Sequence, residues 1–113
     1  IGELTLCSVD VPEISVNELA QKLLNGAFLI DVRELDEWIA ERVPEVPLIP
    51  LDEITDRLAD FPTDGEVFII CRSGARSAAA CQFLRSNDVN AINVAGGTLA
   101  WIASGQDVAS GPS

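Results

Sequence analysis

Short, mostly apolar runs alternate with amphipathic stretches along this chain, and that alternation limits the fold more than any other feature. Ala27 to Val32 (AFLIDV), Val67 to Cys71 (VFIIC) and Ala91 to Val94 (AINV) are too short for helices. They lack the polar alternation of a half-exposed strand, so they read as strands covered on both faces, the signature of a parallel sheet. Val46 to Ile49, bracketed by Pro44 and Pro50, reads as a further short strand. Between the runs lie helical patterns. Ser15-Val16-Asn17-Glu18 fits a capping box before a helix carrying Leu19, Leu23 and Leu24 on one face, with Gly26 placed to end it. Residues 34–41 suggest a short helix burying Trp38. Asp52 is suited to cap a helix with Ile54, Leu58 and Phe61 on one side, before Pro62 and the Asp64-Gly65 turn. After Cys71, the segment SAAACQFLRSN offers a stripe of Ala79, Ala80, Phe83 and Leu84. Gly96-Gly97 reads as a turn, and Thr98 to Ser104 as a last helix carrying Trp101. The expectation is a single α/β domain over residues 1–113: a central parallel sheet of four or five strands, helices on both faces, a core spanning about 14–105 and a polar, frayed tail at 106–113.

Charge and composition narrow the chemistry. The 113 residues hold 18 acidic and 7 basic side chains, a formal charge of −11, which disfavours nucleic acid and anionic membrane as partners. No apolar run approaches the roughly 20 residues of a membrane-spanning helix. The chain has no His, so neither a Ser-His-Asp hydrolase nor a His-ligated metal centre is expected, and catalysis must use Cys, Arg, Asp, Glu or Ser. Cys7, Cys71 and Cys81 are odd in number and lack CxxC spacing, which argues against a disulfide framework or a Cys-only zinc site and favours a reducing, cytoplasmic setting. A first residue of Ile1 leaves a removed leader open. The charge is uneven: residues 1–66 carry 16 acidic and 4 basic groups, net −12, whereas residues 67–113 carry 2 acidic and 3 basic, net +1. Arg72 and Arg76, two of those three, flank the loop after Cys71.

That loop is the candidate site, because ligands in parallel sheets bind beyond the carboxyl ends of the strands. Cys71 ends a strand, and Arg72-Ser73-Gly74-Ala75-Arg76-Ser77 leads into a helix. Loop amides, a helix N-terminus and two arginines all favour thiolate over thiol. Such surroundings lower a cysteine pKa from about 8.5 to somewhere near 3.5–7.5, so no histidine base is required. Gly74 permits a left-handed turn and a close ligand. Cys7, in a weakly structured lead-in, and Cys81, mid-helix among alanines, are expected to be inert.

These residues carry a family resemblance. Asp31-Val32-Arg33-Glu34 with Asp36-Glu37-Trp38, then Leu48-Ile49-Pro50-Leu51, Val67 through Ser77, and Val94-Ala95-Gly96-Gly97-Thr98-Leu99-Ala100-Trp101 together resemble a single-domain rhodanese, a sulfurtransferase, from about Ile14 to Gly105. The resemblance implies the small rhodanese-like α/β sandwich and places the family's nucleophile at Cys71. It implies that the thiolate takes sulfane sulfur from a small anionic donor such as thiosulfate, holds it as a persulfide, and passes it to a thiol or cyanide, or to a protein acceptor, in two covalent steps. No cofactor or metal is implied. Substrate contacts are expected from Arg72, Ser73, Gly74, Ala75, Arg76 and Ser77, the arginines stabilising the thiolate and holding the donor. Asp31 and Arg33 are expected to tie a strand end to its neighbouring loops.

Related phosphatases and arsenate reductases on this fold use a Cys-x5-Arg loop. Here the spacing from Cys71 to Arg76 is Cys-x4-Arg, a ring suited to one sulfur atom. The segment Glu41-Arg42-Val43-Pro44-Glu45-Val46 departs from the family's common Gly-His-Ile-Pro-Gly-Ala, with Arg42 at the His position and Glu45 in place of a turn glycine. The alternative to a turning-over enzyme is a rhodanese-like interaction module or persulfide carrier that serves one protein partner.

Overall fold

The computed structural model describes residues 11–112, so the expectation for Cys7 lies outside the described residues. Four strands form one parallel sheet in the order β1-β4-β3-β2: β1 (Glu13–Ile14), β2 (Phe28–Asp31), β3 (Glu66–Ile70) and β4 (Asn90–Val94). Helices α1 (Val16–Leu24), α2 (Leu35–Ala40), α3 (Ala75–Arg85) and α4 (Gly97–Ala103) complete the α/β alternation. The fifth strand of the sequence reading is reduced to a single parallel bridge between Leu48 and Asp31, framed by hydrogen bonds from the Asp31 amide to the Pro47 carbonyl and from the Ile49 amide to the Asp31 carbonyl. Prolines on both sides and within it remove the donors that a longer ladder would need.

The side-chain period of two sorts each strand between two apolar layers. In β3, Val67 and Ile69 enter the layer shared with Ala80, Cys81 and Leu84 of α3, while Phe68 and Ile70 enter the layer shared with Val16 and Leu19 of α1 and Trp101 of α4. Each fully buried Val, Ile or Phe contributes about 1.5–3 kcal/mol. Cys71 follows Ile69 in register and faces the α3 layer.

Several local expectations change. Helix α1 buries Val16 and Leu19, whereas Leu24 is 81% exposed, because the nine-residue helix sets its core stripe one turn earlier. The Ser15 hydroxyl accepts from the Glu18 amide at 3.1 Å, so the cap forms, and Gly26 adopts φ +85° after it. The stripe of α3 is Ser77, Ala80, Cys81 and Leu84, with Phe83 half-buried and Ala79 exposed. Residues 51–60 form two 3-10 turns, Leu51–Glu53 and Leu58–Asp60, and Asp52 lies inside the first instead of capping a helix. Trp38 is only half-buried; its indole N–H donates to the Val46 carbonyl at 3.0 Å.

The tail is docked where fraying was expected. Arg42 and Ala109 exchange backbone hydrogen bonds of 2.9 and 2.8 Å, and the Trp101 indole donates to the Asp107 carbonyl at 2.7 Å. The buried Arg42 guanidinium lies 3.7 Å from the Trp38 ring centroid and donates to the carbonyls of Trp38 and Gly111. Arg42 thereby staples the tail to α2. Glu45, which replaces the turn glycine, holds φ +64°, a left-handed conformation that costs a residue with a Cβ of order 1 kcal/mol or more.

Candidate active site

At the carboxyl end of β3 the chain turns sharply. Gly74 takes φ +108° as the residue before α3, and this left-handed turn aims its amide back at Cys71. The Gly74 N–H donates to Cys71 Sγ at 3.1 Å, and the Ser77 hydroxyl lies 3.2 Å from the same sulfur. Burial pushes the Cys71 thiol up, as the largest single influence. The Ser77 hydroxyl and the amides of Ser77, Gly74 and Ser73 outweigh it together, leaving the pKa below the ordinary thiol value. Hydrogen bonds, more than the arginines, therefore favour the thiolate. The amides of Ala75 and Arg76, also expected as donors, make no bond to Sγ among the described residues.

Cys81 meets the opposite fate. Mid-helix burial pushes it up to about 12, and it remains a neutral thiol.

Arg72 is exposed at the loop surface. Arg76 is not free: its Nη1 and Nη2 donate to Glu37 Oε1 and Oε2 at 2.8 and 2.9 Å. That fork pulls the Glu37 carboxyl down to about 2 and raises Arg76. Asp31 and Arg33 form a buried pair as expected, Arg33 Nη2 reaching Asp31 Oδ2 at 2.8 Å and the Glu41 carbonyl at 2.6 Å. A cleft of about 220 Å³ beside the loop is lined by Arg33, Glu37, Glu41, Arg72, Thr98 and Leu99. A depression of about 350 Å³ around Leu23, Phe28 and Pro44 is larger but holds no nucleophile, so its size does not make it the site.

Sequence reasoning missed the residues behind the loop. Asn93, fully buried on β4, follows Ala91 in register and faces α3. Its Oδ1 accepts from Ser77 Oγ, and its Nδ2 donates to the Gly74 carbonyl at 3.1 Å and to Glu13 Oε2 at 2.9 Å. One amide thus fixes both groups that face Sγ, and it competes with the sulfur for the single Ser77 hydroxyl proton. The start of α4 supports the loop from another side: the Thr98 amide and hydroxyl donate to the Cys71 carbonyl at 2.8 and 3.1 Å, and the Leu99 amide to the Arg72 carbonyl at 3.0 Å. Gly97 (φ +59°) makes this approach possible, since a Cβ there would collide with the carbonyl oxygens of Cys71 and Arg72. The only sequence-level signal was the Gly96-Gly97 pair, read there as a turn.

The sheet order, the Cys loop and the helix that backs it define a class. The family profile described as "Rhodanese-like domain" matches residues 15–104, and the chain belongs to that family. A Bacillus subtilis relative, YtwF, is 36% identical over 96 residues, covering 82% of this chain and 92% of its own. An Allochromatium vinosum protein named sulfurtransferase is 35% identical over 98 residues, covering 84% and 92%. The crystal structure of a rhodanese-like domain protein from Staphylococcus aureus superposes with a TM-score of 0.77 at 36% identity, covering 80% of this chain and 91% of that one. A role in sulfur transfer follows from this kinship. Among the described residues, no helix is long and apolar enough to cross a membrane.

Proposed function

We propose that the protein is a sulfurtransferase whose Cys71 thiolate carries sulfane sulfur as a persulfide. The observation that carries this reading is the Gly74 amide donating to a buried Sγ at the end of β3, with the Ser77 hydroxyl 3.2 Å from the same sulfur. In the first step the thiolate attacks the sulfane sulfur of thiosulfate. The new S–S bond forms as the donor's S–S bond breaks, and sulfite leaves with the electron pair. The persulfide keeps one negative charge, received by the amides of Ser73, Gly74, Ala75, Arg76 and Ser77. In the second step cyanide or a thiolate attacks the outer sulfur, and the Cys71 thiolate returns. No net redox change occurs. Arg72 holds the anionic donor, residues 14–105 act as one domain, and a reducing compartment keeps Cys71 available.

Intact mass after incubation of the reduced protein with thiosulfate tests this. The reading expects a gain of one sulfur, about 32 Da, absent in Cys71→Ser and removed by a cyanide chase. Thiosulfate leaving the mass unchanged would overturn the thiosulfate route. Loading by a protein persulfide alone would instead identify a partner-specific carrier.

A further inference from the structure

The two arginines of the loop face the substrate unequally. Arg76 spends two donors on both oxygens of Glu37. Glu37 is fixed independently, because its Oε1 also accepts the Glu34 amide at 3.0 Å in the capping box that opens α2. Arg72 is exposed and has no ion pair among the described residues. One of the two positive charges beside Cys71 is therefore cancelled. The adjoining cleft is also lined by Glu41 and by Arg33, whose charge Asp31 already balances, and the whole chain carries −11.

We infer that Glu37 sets the charge of the sulfur donor: by filling the Arg76 fork it leaves a site matched to singly charged donors over doubly charged ones. This inference rests on the persulfide reading of Cys71. Arg72 balances one donor charge. A second negative charge, as on thiosulfate, approaches a thiolate, two glutamates and an already occupied guanidinium without compensation. The chemistry is the same for either donor. Thiolate attack on thiosulfate releases sulfite with its electron pair, and attack on an arylthiosulfonate releases the arenesulfinate. The leaving group carries two charges in the first case and one in the second.

The test compares kcat/KM for persulfide formation from thiosulfate and from benzenethiosulfonate in the wild type, Glu37→Gln and Glu34→Gln, across ionic strength. Glutamine still accepts the Glu34 amide, so α2 keeps its cap. The thiosulfate-to-thiosulfonate ratio is expected to rise about fivefold in Glu37→Gln at low salt, through KM, with the gain shrinking as salt is added. In the wild type the same ratio is expected to rise with salt, as uncompensated repulsion is screened; this arm needs no variant to fold. An unchanged or lower ratio in Glu37→Gln, an equal rise in Glu34→Gln, or a wild-type ratio falling with salt would overturn the inference. Failure of both donors to load Cys71 in the wild type would overturn the persulfide reading itself.

Discussion

Cys71 and Cys81 share one apolar layer, are equally withdrawn from solvent at 1% and 0% exposure, and end up as opposite chemical objects. Cys81 sits mid-helix in the apolar layer with no donor on its sulfur among the described residues, and burial, the largest influence, pushes its thiol up to about 12. Cys71 suffers the same burial but sits where a strand ends, a glycine turns left-handed and a helix begins, so amides and a hydroxyl converge on its sulfur. Burial withholds water from both. Only Cys71 has donors to replace that water, and in the proposed function they make it the nucleophile.

That contrast can be broken outright at the sulfur atoms. Cys71→Ser is expected to reduce sulfur loading to background. Cys81→Ala is expected to keep loading while losing about 1 kcal/mol of stability, read by mass and by urea unfolding. Loading lost with Cys81 would exchange the two roles. A blow of about 3 kcal/mol or more is expected from Gly97→Ala, whose methyl meets the Cys71 and Arg72 carbonyls at a left-handed backbone position. Denaturant unfolding checks it, and near-neutral stability would mean that α4 does not brace the loop.

Smaller changes sharpen the contrast. Ser77→Ala removes the hydroxyl facing Sγ and makes Cys71 more like Cys81. Its thiolate midpoint, read from the pH dependence of alkylation, is expected to rise by about one unit, since a hydrogen bond to a charged group is worth roughly 1.5 kcal/mol. The smallest effect falls at the edge of the loop. Glu37 is depressed from 4.5 to about 2 in the folded protein, so its pairing stabilises above pH 4.5, and that stability is lost as pH falls toward 2. Discounted for partial exposure, Glu37→Gln should cost about 1 kcal/mol at neutral pH, and the gap to wild type should close below pH 3 in acid titrations of unfolding.

Much of this architecture was legible because it is local. The apolar runs marked β2, β3 and β4, Ser15 marked the start of α1, and the loop from Cys71 to Ser77 declared itself by residue type and order. Errors arose where neighbours in sequence do not decide. Leu24 has the right spacing for a core residue, yet α1 ends before that turn meets the sheet. Residues 51–60 have helical periodicity, but between Pro50 and Pro62 the chain settles into 3-10 turns. The tail looked frayed because its anchor, Arg42, lies far back in the chain and resembled a departure from a family motif. Asn93 and Glu37 escaped for the same reason: they reach Ser77 and Arg76 across 16 and 39 residues, and only the parallel sheet brings them together.

The central claim is that the loop's donors, and not burial, determine which cysteine reacts. Its most direct test is the pH profile of alkylation at Cys71 and Cys81, read on separate peptides of one Cys7→Ser protein. The account predicts a midpoint for Cys71 below the ordinary thiol value of about 8.5 and negligible labelling of Cys81 throughout the native range. A Cys71 midpoint at or above that value, or equal labelling of both sulfurs, would contradict it.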